Sequence, residues 1–158
     1  GDFAFNNCYS LASITISGSV INTAGYAFAY CYSLVSITIP NGVINILYDA
    51  FNHCYSLASI TIPNSVTRIE ESAFAYCYSL ASITIPNSVT RIEESAFTNC
   101  YGVSFYDFSN YTSIPTLANP AVFGGLPADC QIRVPASLVE EWKAATNWST
   151  YANYIVGV

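Results

Sequence analysis

The chain is poor in charge. Of its 158 residues only 9% are Asp, Glu, Lys or Arg, four basic against ten acidic, for a net charge of −6. A nucleic-acid surface is built from clustered Lys and Arg on phosphates, so that function has almost nothing to stand on. Long apolar runs are missing too: no stretch approaches the roughly 18 to 20 consecutive apolar residues of a membrane helix, so no transmembrane segment is expected in this chain. Methionine is absent and His53 is the single histidine. A Ser-His-Asp arrangement would have to use His53, and no serine is singled out as its nucleophile. Gly-x-Ser-x-Gly, phosphate-loop and His-Glu-x-x-His patterns are all lacking. Gly1-Asp2-Phe3 does not open a basic and then apolar export signal, although a processed protein would have lost one.

What is present is apolar and aromatic. At 53% hydrophobic and 15% aromatic, the chain can fill one domain. Its polar residues are mostly Ser, Thr, Asn and Tyr, which gives a polar but non-ionic surface. Such a surface favours extended contact with proteins or sugars over steering of charged ligands.

The main signal is a period of 23 residues, set by Cys8, Cys31, Cys54, Cys77 and Cys100. Leu11, Leu34, Leu57 and Leu80 keep the same ruler, as do the pairs Ile14/Ile16, Ile37/Ile39, Ile60/Ile62 and Ile83/Ile85. Val20, Val43, Val66 and Val89 follow, and Phe5, Phe28, Phe51, Phe74 and Phe97 close the unit. Residues 55–77 and 78–100 differ only where Ala75-Tyr76 becomes Thr98-Asn99. In each unit Ile-x-Ile reads as a short strand with its apolar face inward, ended by Pro40, Pro63 or Pro86. After the Asn-Gly or Asn-Ser turn, Val-x-x-Ile and Glu-Glu-Ser-Ala-Phe fit either a second extended piece or a single helical turn. One unit cannot bury its own Leu, Ile and Phe; stacking equivalent strands in parallel buries a column of each. About five coils at about 4.8 Å make a stack of roughly 24 Å.

The pattern from Phe51 to Phe74, Phe-x-x-Cys-x-x-Leu-x-x-Ile-x-Ile-Pro-x-x-Val-x-x-Ile-x-x-x-Ala-Phe, resembles the BspA-like class of leucine-rich repeats over about two thirds of the chain. The resemblance implies a leucine-rich-repeat solenoid, α/β or mostly β: a parallel stack with one short strand per coil, closed by a strand-plus-helix C-terminal cap. It also implies display at the cell surface or secretion, and binding of host or bacterial proteins, including extracellular-matrix components. The motif specifies the fold far better than the ligand.

The two ends differ. Phe3-Ala4-Phe5-Asn6-Asn7-Cys8 aligns with Ser72 to Cys77, so the first unit begins mid-repeat with no distinct cap, and self-association at that uncapped end is expected. From Tyr101 the period decays. Residues 1–118 are expected to form the solenoid, with a truncated first and a degenerate last unit, and 119–158 the capping segment. In the latter, Cys130 to Pro135 reads as a terminal strand, Ser137-x-x-Glu140 as a capping box starting a helix to about Ala145, and Trp142 and Trp148 as covering bulk.

No catalytic, cofactor or metal site is expected. A line of equivalent thiols is not a tetrahedral cluster, and buried free thiols acting as small hydrophobes fit the Cys column best. Glu70-Glu71 and Glu93-Glu94 recur beside Arg68 and Arg91 as a charge-balanced edge, and are not a glycosidase pair. His53 occupies a variable turn position, filled elsewhere by Asn7, Tyr30, Tyr76 and Asn99, and is expected to face solvent. The candidate partner surface is the column Tyr9, Tyr32, Tyr55, Tyr78 and Tyr101, which follows each inward Cys and so points outward. Its rings either contact a partner or stack to shield the turn. Beside it, Ser13, Ser36, Ser59 and Ser82 with Thr15, Thr38, Thr61 and Thr84 should form two parallel polar ladders, hydroxyl-rich and uncharged. Together these point to a non-catalytic adhesion module for an extracellular protein or glycan. A spacer within a larger surface protein is the rival, favoured by the near-identity of two units.

Overall fold

The computed structural model describes residues 1–16 and 22–158; the repeat position Val20 and the variable Gly18-Ser19 lie outside them. The Ile-x-Ile segments form one column of parallel strands: β1 (Ser13–Thr15), β2 (Ser36–Thr38), β4 (Ser59–Thr61) and β6 (Ser82–Thr84). The segment left open in the sequence is extended. Short strands β3 (Asn45–Ile46), β5 (Arg68–Ile69), β7 (Arg91–Ile92) and β9 (Thr116–Leu117) build a second column, joined ahead of β3 by a bridge from Asn22 to Asn45. Most coils therefore carry two strands where one was expected. Only Val and Ile of Val-x-x-Ile point inward, a spacing too short for a helix face but enough for two residues of ladder.

Every strand pair is parallel and every register follows the repeat: Ile37 lies opposite Ile14 and Ile60, and Ile69 opposite Ile46 and Ile92. A side chain meets its counterpart from the next coil, so Cys, Leu, Ile, Val and Phe each form a buried column. The Phe column runs Phe5–Phe28–Phe51–Phe74–Phe97, with ring centroids 5.2 to 5.4 Å apart. Phe123 extends it at 5.5 Å, beyond the point where the 23-residue ruler fails.

The C-terminal segment continues the first column instead of merely lying across it. β8 (Phe105–Asp107) pairs with β6 and with β10 (Gln131–Val134), and β10 pairs with β11 (Ile155–Gly157). Between β10 and β11 run a 3₁₀ turn at Ala136–Leu138, helix α1 (Val139–Ala144) and a 3₁₀ segment at Trp148–Tyr154. The expected capping box does not form. Pro135, with φ −55°, ends β10 and leads straight into the 3₁₀ turn, which places Ser137 inside the turn; neither turn nor helix has a side-chain cap. Trp142 and Trp148 are buried, 4.6 Å apart, against Phe108. Trp148 Nε1 donates to Pro115 O at 2.8 Å and the Tyr151 hydroxyl to Pro120 O at 2.6 Å, tying the aromatic cluster to the last coil's backbone.

The aromatic side chains of the first coil are less covered. Phe3 is 57% exposed and Phe5 37%, although each stacks on its counterpart in the next coil. An apolar hollow of about 300 Å³ opens here, lined by Phe5, Ile14, Ile16, Phe28 and Val43 among others.

Candidate partner-binding surface

Each coil turns sharply between its second strand and its Cys. The turn holds two residues in the left-handed region: Phe3, Tyr26, Asp49, Ser72 and Ser95 in one column, and Asn7, Tyr30, His53, Tyr76 and Asn99 in the other, all with φ between 52° and 63°. Backbone bonds from coil to coil hold them there, as in Tyr30 N to Asn52 O (2.8 Å) and Tyr76 N to Thr98 O (2.9 Å).

This turn presents the tyrosines. Tyr9, Tyr32, Tyr55, Tyr78 and Tyr101 stack face to face, with centroids 4.8 to 5.5 Å apart and planes within 21° of parallel. All remain exposed except Tyr55, which is half-buried. Stacking and exposure therefore coexist, because one ring face contacts each neighbour while edges and hydroxyls stay outside. Desolvation by its neighbours, reinforced by the adjacent tyrosines, raises the Tyr55 phenol pKa.

A second aromatic row stands beside the first. His53 is stacked between Tyr30 (4.8 Å) and Tyr76 (4.3 Å), and Tyr30 and Tyr76 set their edges against Tyr32 and Tyr78 at 6.3 and 6.2 Å. His53 is thus half-buried in an aromatic stack, and desolvation lowers its pKa. The row was missed because only three of its five positions are rings; the 23-residue spacing carried the signal. At the ends, where Asn7 and Asn99 replace rings, the Tyr9 and Tyr101 hydroxyls donate to the Asn side chains at 3.1 and 2.9 Å.

Thr15, Thr38, Thr61 and Thr84 are exposed along the first strand column, with Ser13, Ser36 and Ser59, while Ser82 is partly covered. The hydroxyl ladders are not continuous. β1, β2 and β4 form one sheet and β6, β8, β10 and β11 another, and no pairing joins β4 to β6. Past β6 the hydroxyls give way to Phe105, Asp107 and Arg133, whose guanidinium lies 3.8 Å over the Phe105 ring.

The cysteines and the charged edge are engaged within the fold. All six cysteines are free thiols. Cys31, Cys54, Cys77 and Cys100 donate to the Phe carbonyl of the preceding coil at 3.1 to 3.3 Å. Burial pushes the Cys31 thiol up to about 11, Cys100 up to about 12, and Cys54 and Cys77 further, so thiolate chemistry is suppressed. Arg68 bridges Glu70 and Glu93, and Arg91 also pairs with Glu93. The Arg91 hydrogen bond holds the Glu93 carboxyl below its ordinary value. Among the described residues no group of three His, Cys, Asp or Glu could hold a metal ion, and no helix is long and apolar enough to cross a membrane.

Comparison with known proteins fits this geometry. The family model described as the BspA type leucine rich repeat region matches residues 1–120 in six copies. Among solved structures, the chain is similar to a T. pallidum leucine-rich-repeat protein, at 26% identity and TM-score 0.70, over 80% of this chain and 60% of that one. A leucine-rich cell surface protein from Faecalibacterium prausnitzii matches at 27% identity and TM-score 0.57, over 88% and 52%. A Bacteroides ovatus leucine-rich-repeat protein shares the fold at 23% identity and TM-score 0.63, over 85% and 48%. The chain thus spans about half of the solved relatives it matches. Among functionally curated proteins none matches it.

Proposed function

Because this chain belongs to the BspA-type leucine-rich-repeat family, we propose that it is a non-catalytic binding module, at the cell surface or secreted, that contacts an extracellular protein or glycan through its repeat face. Residues 1–118 would carry the contact surface and 119–158 close the stack. The observation that carries this is the stacked row Tyr9, Tyr32, Tyr55, Tyr78 and Tyr101, exposed except at half-buried Tyr55, with the Thr15, Thr38, Thr61 and Thr84 face beside it. Stacking fixes the rings before a partner arrives. The entropy lost on binding is then small, the reason tyrosine is favoured at interfaces. The F. prausnitzii neighbour is a leucine-rich cell surface protein, which supports the location.

The test is a binding screen against matrix proteins, mucins and glycans, comparing the wild type with a Tyr32→Ser, Tyr55→Ser, Tyr78→Ser variant whose fold is checked by circular dichroism. A partner bound through this row should weaken by at least about thirtyfold, equivalent to about 2 kcal/mol. Saturable binding that ignores the substitutions would move the contact surface elsewhere. Silence across the panel would favour the spacer role, to which the near-identical units 55–77 and 78–100 lend support.

A further inference from the structure

The break between β4 and β6 falls between the two most similar coils of the chain, and three observations mark it. The strands Ser59–Thr61 and Ser82–Thr84 belong to different sheets, so the edge of β4 toward β6, and that of β6 toward β4, lack a ladder partner. The Ser88 hydroxyl is buried without a partner, whereas its counterpart one coil earlier, Ser65, donates to Val43 O at 2.7 Å and accepts from Gly42 N at 3.1 Å. A cavity of about 540 Å³ opens at the break, lined by Ser59, Thr61, Ser82, Thr84, Asn64 and Asn87 over a floor of Ile60 and Ile62. That volume lies within the roughly 300–1,000 Å³ of small-molecule sites.

We propose that this seam is a subsite for one neutral sugar unit of a glycan, a deepening that rests on the adhesive reading above. No lining residue is charged, so an anionic or cationic ligand would find no counter-charge. The site offers hydroxyls, side-chain amides and unpaired backbone N–H and C=O groups, which both donate and accept, as sugar hydroxyls require. Asn87 is set in place by donating to Asn110 O at 3.2 Å. Partly exposed Ile60, with Ile62 behind it, supplies an apolar patch for the C–H face of a ring. A peptide strand is the competing occupant, and spacing excludes it. Insertion between β4 and β6 needs two strand spacings, about 9.6 Å. Just before the break, however, Ala81 N donates to Ala58 O at 3.2 Å, and beyond it Arg68 and Ile69 stay paired with Arg91 and Ile92. The coils are pinned one spacing apart on both sides, so a ligand can only lie over the mouth and reach in.

The experiment is an amide NMR titration of the full chain with a panel of neutral mono- and disaccharides. It compares the wild type with a Thr61→Val/Thr84→Val variant, and with Thr67→Val/Thr90→Val, which makes the same change at exposed threonines outside both the seam and the proposed contact face. Valine keeps the shape and β-preference of threonine, and the amide spectrum and melting temperature report the fold. The expected result is saturable shifts confined to residues 59–64 and 82–87, at least a tenfold loss of affinity in the Thr61/Thr84 variant, and little loss in the Thr67/Thr90 variant. Shifts spread evenly along the threonine column, or wild-type affinity in the seam variant, would overturn the proposal. A chain that binds a matrix protein through its tyrosines but no saccharide would overturn the seam alone. One that binds nothing would sink both.

Discussion

At the residue scale, the repeat depends on a conformation its side chains do not favour. Each described turn puts residues as large as Tyr26 and Tyr30 at positive φ, which costs an L-residue roughly 1–2 kcal/mol. The register enforces it, because Ser72 at φ 54° donates its backbone N–H to Glu94 O at 3.0 Å, and an ordinary φ would break that bond. Shape at Cβ should therefore decide what position 72 accepts. Ser72→Val, branched and resistant to positive φ, is expected to lower stability by about 1–2 kcal/mol. Ser72→Gly should fall within about 0.5 kcal/mol of wild type, its ease at positive φ offset by a more flexible unfolded chain. Chemical denaturation of both variants measures this, and a glycine variant less stable than the valine one would refute the account.

At the element scale, stability should be graded along the stack. Among the described residues β1 has one neighbour and lies near exposed Phe3 and Phe5, whereas β8, which carries buried Tyr106, and β10 each have two neighbours on the side of the chain where Trp142 and Trp148 are buried. In a solenoid each unit is held by its nearest neighbours, so the end with fewer contacts opens first. Hydrogen exchange should accordingly be fastest in β1 and slowest in β8 and β10; uniform protection would contradict this. The same contrast shows what was legible in sequence. Cys8 to Cys100 and the Ile-x-Ile pairs fixed the stacking register, since a repeat that pairs in step puts like on like. Beyond Tyr101 that ruler failed. Ile155 pairs with Ile132, and Phe123 stacks on Phe97, through tertiary packing and not through a recurring motif. The tyrosine row was readable because each follows an inward Cys. The gap between β4 and β6 was not, because residues 55–74 and 78–97 are identical and differ only in what the fold sets on either side of them.

At the scale of the whole molecule, the scarcity of charge bears on how any partner is held. The net charge of −6 is small for 158 residues, and much of the basic charge is already engaged: Arg68 and Arg91 pair with Glu70 and Glu93, Lys143 with Glu140, and Arg133 covers Phe105. The tyrosine row and the hydroxyl face contribute no formal charge at neutral pH. Salt acts on association by screening charges over roughly 10 Å at 0.1 M, and a contact made by rings, hydroxyls and backbone groups has little for it to screen. Affinity for a partner bound on this face should therefore change by less than about threefold between 0.1 and 0.5 M NaCl, with association rates near the unsteered 10⁵–10⁶ M⁻¹s⁻¹. Equilibrium titration across a salt series measures the first and stopped-flow mixing the second. A steep loss of affinity with salt would mean that the partner sits on a charged part of the surface, such as the Arg68–Glu93 edge, and not on the tyrosine and threonine face.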